Sequence, residues 1–206
     1  MLDYIRDPAE ITRRSFAIIA KETELASLPE DIRAVAARIV HACGMPDIVG
    51  DLASSEGAGA IGQAALANGA PILCDVRMVA AGLAEKHLPR SNPVHVALDE
   101  AGAAELAQRS GQTRSAAGME IAAQHLDAAV VVIGNAPTAL FRLLELVAEG
   151  RSRPALVLGF PVGFVGAAES KAALTASGLP FITLHGRRGG SAIAAAAFNA
   201  LILGGE

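Results

Sequence analysis

Two stretches decide the fold, Ala129-Val-Val-Val-Ile-Gly-Asn-Ala-Pro-Thr138 and Ala155-Leu-Val-Leu-Gly-Phe-Pro-Val-Gly163. Each starts with an unbroken apolar run too short for a helix, then meets glycine and proline, then gives way to helical periodicity. Such runs mark strands buried on both faces, the habit of a parallel sheet. Similar runs occupy 72–74, 94–98 and 181–184. Helical stretches alternate with the five runs, near 76–83, 100–109, 113–125, 138–149, 166–177 and 191–203. The alternation predicts an α/β protein of three α/β/α layers around a mainly parallel sheet of about five strands, flavodoxin-like in kind.

Upstream of the first strand the chain reads as helices. Asp7-Pro8-Ala9-Glu10 is a helix start, with aspartate as N-cap, proline at the first helical position and glutamate at the third. Ile11, Ser15, Ile18 and Ile19 then share one face. A second helix begins near Leu28-Pro29-Glu30, buries Ile32, Val35 and Ile39, and stops at Gly44 in a left-handed cap. An alanine-rich third helix covers about 57–67. No linker, repeat or composition shift divides the chain, so residues 1–206 are predicted to form one domain.

Composition narrows the function classes. At 206 residues a chain buries roughly 70% of its unfolded surface and needs no disulfide or structural metal. The mean hydropathy of +0.40 calls for a membrane check. The longest uncharged stretch, 189–205, falls short of a bilayer span and is interrupted by Asn199, so it reads as a buried helix. Cys43 and Cys74 make neither a disulfide framework nor a zinc spacing, which predicts a cytoplasmic protein. A net charge of −4 without a basic stripe, no tryptophan and one tyrosine argue against nucleic acid as a partner.

In open α/β sheets ligands collect at the carboxyl ends of the strands. Those ends carry Cys74-Asp75, Gly134-Asn135-Ala136-Pro137, Gly159-Phe160-Pro161-Val162-Gly163 and His185-Gly186-Arg187-Arg188-Gly189-Gly190. Glycine there lets backbone approach a ligand and offers N–H groups to anions. Neither G-x-G-x-x-G nor G-x-x-x-x-G-K-[ST] is present, so no nucleotide fingerprint is formed. Arg187, Arg188 and Arg114 suit a carboxylate- or phosphate-bearing ligand. His41 is the candidate for proton chemistry. It follows Arg38 by three residues on one helix face and lies in the last turn, where the backbone carbonyls favour positive charge and Arg38 opposes it. Ser15 puts a hydroxyl on an isoleucine-lined face, where it either bonds back to the carbonyl four residues earlier or reaches a ligand. His87, His95, His125 and His185 show no ligand spacing, and no metal site is predicted.

Longer words of sequence resemble the precorrin-8X methylmutase family. They are Asp3-Tyr-Ile-Arg-Asp7, Arg14-Ser-Phe-Ala-Ile-Ile19, Val40-His-Ala-Cys-Gly44, Gly69-Ala-Pro-Ile-Leu-Cys-Asp75, Thr113-Arg-Ser-Ala-Ala117, Gly134-Asn-Ala-Pro-Thr-Ala-Leu-Phe141, the run from Gly159 to Lys171, and Gly186-Arg-Arg-Gly-Gly-Ser-Ala192. The resemblance spans nearly the whole chain, with Gln112 standing where asparagine is expected. It implies a homodimeric, flavodoxin-like isomerase without a cofactor, acting on a small-molecule tetrapyrrole. The implied reaction moves a methyl group from C-11 to C-12 of precorrin-8X and gives hydrogenobyrinic acid. By the same resemblance His41 is the proton donor and acceptor. Ser15, Arg38 and Arg114 contact substrate, joined at the strand ends by Asn135 and Arg187. The alternatives are a cobalt-precorrin-8 methylmutase and a non-catalytic corrinoid carrier using the same pocket.

Overall fold

The computed structural model describes residues 2 and 4–204. Asp3 of the first quoted word and Gly205 of the uncharged stretch lie outside the described residues. Strands β1 (Leu52–Ser54), β2 (Ile72–Cys74), β3 (Val94–Val96), β4 (Val130–Ile133), β5 (Leu156–Gly159) and β6 (Phe181–Leu184) form one sheet in the order β1-β6-β5-β4-β2-β3. The five expected strands are all parallel to one another, and counted in chain order they run 2-1-3-4-5, the flavodoxin arrangement. β1 is an addition to the expected set. It pairs antiparallel with β6, Leu52 opposite Leu184, and is only three residues long. A run this short, flanked by Asp51 and Ser55, carries too little apolar periodicity to announce itself.

Nine α-helices are seen among the described residues: α1 (Pro8–Glu22), α2 (Glu30–Cys43), α3 (Ala58–Ala67), α4 (Arg77–Ala80), α5 (Ala103–Ser110), α6 (Arg114–Ile121), α7 (Pro137–Ala148), α8 (Ala167–Thr175) and α9 (Ser191–Leu203). β4, β5 and β6 are buried at every position, which is why they read as unbroken apolar runs. Alternate residues serve two cores. Val130, Val132, Leu156 and Leu158 face Ile32, Ile39, Phe198 and Leu201 of α2 and α9. Val131, Ile133 and Val157 face Met119, Leu140, Leu143 and Leu174 of α6, α7 and α8. Each such side chain contributes about 1.5–3 kcal/mol on burial. α9, the uncharged stretch, is a core helix, and no helix among the described residues is long and apolar enough to cross a membrane.

The strand order reverses between β2 and β4, and Asp75 sits at that reversal. Its carboxylate is 1% exposed and accepts hydrogen bonds from the backbone N–H groups of Gly134 (3.1 Å), Asn135 (2.9 Å) and Ala136 (2.9 Å). Burial pushes the Asp75 carboxyl above its usual range, while these N–H groups pull it back. Gly134 is needed beside it, because a Cβ there would lie 2.7 Å from Ser191 Cα at the start of α9. Replacing Asp75 with alanine strands three N–H groups, and is expected to cost about 3 kcal/mol or more. Denaturant unfolding of Asp75→Ala against Asp75→Asn checks this, with the asparagine losing less because it keeps one acceptor oxygen.

Candidate functional site

Helix α1 starts as its sequence predicts, with the Asp7 side chain accepting from Ala9 N at 3.0 Å and Pro8 in the first turn. Glu10 pairs with Arg13 and Arg14, which lowers the pKa of its carboxyl, and does not turn back to the cap. α2 ends at Gly44, left-handed at φ 68°, whose N–H donates to Val40 O at 2.8 Å. That cap holds His41 in the last turn. The His41 ring stacks on Phe16 of α1 with centroids 5.1 Å apart and planes 17° apart. The Arg38 guanidinium carbon lies 5.7 Å over the same Phe16 ring. Arg38 Nε also donates to Gly204 O at 3.1 Å, just past the end of α9. Phe16 therefore gathers both candidates of α2, a role that its place in the Arg14–Ile19 word did not disclose.

A cleft of about 270 Å³ opens between the two helices, lined by Ser15, Ile18, Ile19 and Glu22 on one side and Val40, His41, Gly44 and Pro46 on the other. Ser15 and His41 thus share one cleft. The Ser15 hydroxyl donates to Ile11 O at 2.9 Å, the ordinary back-bond, which spends its proton and leaves its oxygen able to accept. Glu22 adds a carboxylate to the cleft that sequence reading had not singled out; its spacing of seven from Ser15 places both on one helix face.

The other candidates stand at the carboxyl edge of the sheet. Arg114 opens α6 behind the N-cap Thr113, whose hydroxyl accepts from Ala116 N at 3.2 Å and donates to Thr138 Oγ1 at 2.8 Å. That contact ties the start of α6 to the start of α7, next to the exposed Asn135. Arg187 lies 5.4 Å over the ring of Phe164, and Phe164 and Val165 are 85% and 89% exposed on the loop after β5. Arg114, Asn135 and Arg187 do not line the α1–α2 cleft. Arg188 departs from the expectation that it serves a ligand. It grips Asp51 and Asp47, with Nε 3.0 Å and Nη1 2.6 Å from their carboxylates, and so fastens its loop to the segment before β1. Other ion-paired arginines are Arg77, Arg142 and Arg151, which leaves the candidate cations Arg38, Arg114 and Arg187 outside these pairs.

Strand order and cleft define the class, a flavodoxin-like α/β protein with an imidazole in a helix–helix cleft. The chain belongs to the precorrin-8X methylmutase family, whose profile matches residues 10–203, and it is an enzyme of the isomerase class. It is 58% identical to the precorrin-8X methylmutase of Pseudomonas aeruginosa over 98% of both chains. The precorrin-8X methylmutase of a Sinorhizobium species is 48% identical, over 97% of this chain and 96% of that one. The cobalt-precorrin-8 methylmutase of Methanothermobacter thermautotrophicus is 40% identical over 94% and 91%. Among solved structures, the precorrin-8X methyl mutase of Thermus thermophilus superposes with a TM-score of 0.86 at 37% identity, covering 95% of each chain.

Lys171 of α8 is buried and donates from Nζ to Arg188 O at 2.5 Å. Desolvation pushes its pKa down to about 8, against the pull of Asp51. Above about pH 8 the folded chain has shed this proton, whereas the unfolded chain keeps it to about 10.4. Stability from this group therefore rises with pH across that window. Melting midpoints of the wild type and Lys171→Met should diverge in favour of the wild type between about pH 8 and about pH 10.

Proposed function

We propose that this chain moves the methyl group of precorrin-8X from C-11 to C-12, giving hydrogenobyrinic acid, with His41 as the proton donor and acceptor. The observation that carries the reading is the shared cleft of Ser15 and His41, with His41 and Arg38 both set against Phe16. An imidazolium at His41 gives its proton to the bound macrocycle and so fixes the double bonds that permit migration. The C-11–methyl bond breaks as the C-12–methyl bond forms, and the imidazole then takes a proton back. Nothing is oxidised or reduced and no net proton is consumed, so the reaction balances without a cofactor. Ser15 offers an acceptor oxygen, while Arg38, Arg114 and Arg187 supply charge for the ring's carboxylates and Asn135 an amide.

The cleft is smaller than the about 300–1,000 Å³ that drug-sized ligands fill, so a tetrapyrrole needs further walls. A homodimer supplies them in this reading, and Ile11 and Ile18 of α1, 44% and 54% exposed, favour it. The protein then works as one domain over 1–206, in the cytoplasm, on a cobalt-free ring. The full-length relatives named for precorrin-8X are the more similar ones, which favours that ring. The second reading is a cobalt-loaded ring, which the 40% identity to a cobalt-precorrin-8 methylmutase keeps in view.

The test is a visible spectrum of the protein with precorrin-8X, and in parallel with cobalt-precorrin-8. Conversion to hydrogenobyrinic acid is expected; binding without conversion overturns the reading in favour of a carrier. His41→Ala should bind substrate within a few-fold of wild type and lose turnover by about 10²–10⁴-fold. Near-normal turnover of that variant would remove His41 from the mechanism.

A further inference from the structure

Away from the α1–α2 cleft, the fold gathers three side chains that the mechanism does not use. His95 is the central residue of β3, the edge strand opposite β1. Val94 and Val96 pack into the core shared with α2 and α9, so alternation sends His95 to the other face of the sheet. There it meets His125, the last residue of a short 3-10 turn after α6, spanning Ala122–His125. The two rings stack with centroids 3.8 Å apart and planes 8° apart. Glu100, which follows another 3-10 turn after β3, brings Oε1 to 3.8 Å from His125 Nε2. One donor atom from each of His95, Glu100 and His125 lies within 4.8 Å of the others, and all three residues are half-buried.

At 3.8 Å the His125–Glu100 approach is longer than a hydrogen bond. Two imidazoles and a carboxylate thus come together at this edge of the sheet. Two imidazoles and one carboxylate are a donor set that suits zinc with one position open. We propose that His95, Glu100 and His125 bind one divalent transition-metal ion of the zinc type, leaving a coordination position for water.

The ligand atoms of a tetrahedral site stand about 3.3 Å apart, so the three side chains must close in slightly when the ion enters. Parallel stacked rings cannot both aim an in-plane lone pair at one ion, so binding turns one imidazole out of the stack. The site lies on the opposite face of the sheet from α2, and its filling pins edge strand β3 to the turn that ends α6.

The full-length protein, stripped with chelator and dialysed, is titrated with Zn²⁺ by calorimetry. One ion per chain with a Kd below about 10 µM is expected, together with a rise of the melting midpoint. His95→Ala and His125→Ala should each weaken binding by more than the about 10–100-fold that loss of an outer partner costs. Should either variant fold poorly, Glu100→Gln and the histidine ring ¹⁵N resonances of the wild type carry the test. Zn²⁺ must then shift the nitrogens of His95 and His125, and Glu100→Gln must weaken binding. No saturable binding, binding unchanged in the variants, or shifts confined to His41, His87 and His185 would each overturn the proposal. Calorimetry and resonances do not depend on methyl transfer, so this outcome is separate from that of the proposed function.

Discussion

The Asp75 carboxylate and the three N–H groups it holds form the joint on which the carboxyl edge of the sheet is built. β2 and β4 run side by side, but their connections leave in opposite directions, and a gap opens where they part. Asp75 closes the floor of that gap by gathering the turn after β4. Its own backbone is tied on both sides, the N–H donating to Val132 O and the carbonyl accepting from Leu98 N. The position of Asn135, the start of α7 and through Thr138 the start of α6 all follow from this one buried acid. Hydrogen bonds from backbone N–H groups to a carboxylate are among the stronger ones available, and here they offset part of the cost of burying it.

A second constraint shapes the α1–α2 cleft. α2 carries both Arg38 and His41, and it packs into the core beside α9, a helix rich in alanine. α1 in turn buries little of itself, with only Ile19 below the surface, and meets α2 through Phe16. Burial therefore falls from the sheet outward, through α9 and α2 to α1. His41 sits on the second of these layers and Ser15 on the outermost.

Much of this was legible in the chain. The five parallel strands could be read because burial on both faces forces continuous apolar runs, and the caps at Asp7 and Gly44 because each needs a particular residue. β1 could not, since a three-residue antiparallel pairing leaves almost no pattern. Ser15, Arg38 and His41 were readable as neighbours only where helical spacing links them, and their gathering around Phe16 is a tertiary fact. Arg187 and Arg188 look alike in sequence. Asp47 and Asp51, more than 130 positions away, make one of them a structural tie and leave the other over Phe164. His95 and His125 likewise meet only because β3 and the turn after α6 share an edge of the sheet.

The grip of Arg188 on Asp47 and Asp51 has a mechanical side. Pro46 lines the cleft beside His41, and the short turn Pro46–Asp51 runs from there to the start of β1. Arg188 seizes this turn from the loop that presents Arg187, and Lys171 braces the same loop from beneath through the Arg188 carbonyl. The turn is thus a drawbar between the loop of Arg187 and the wall of the histidine cleft. Six residues of backbone therefore tie the position of the Arg187 loop to that of the cleft wall.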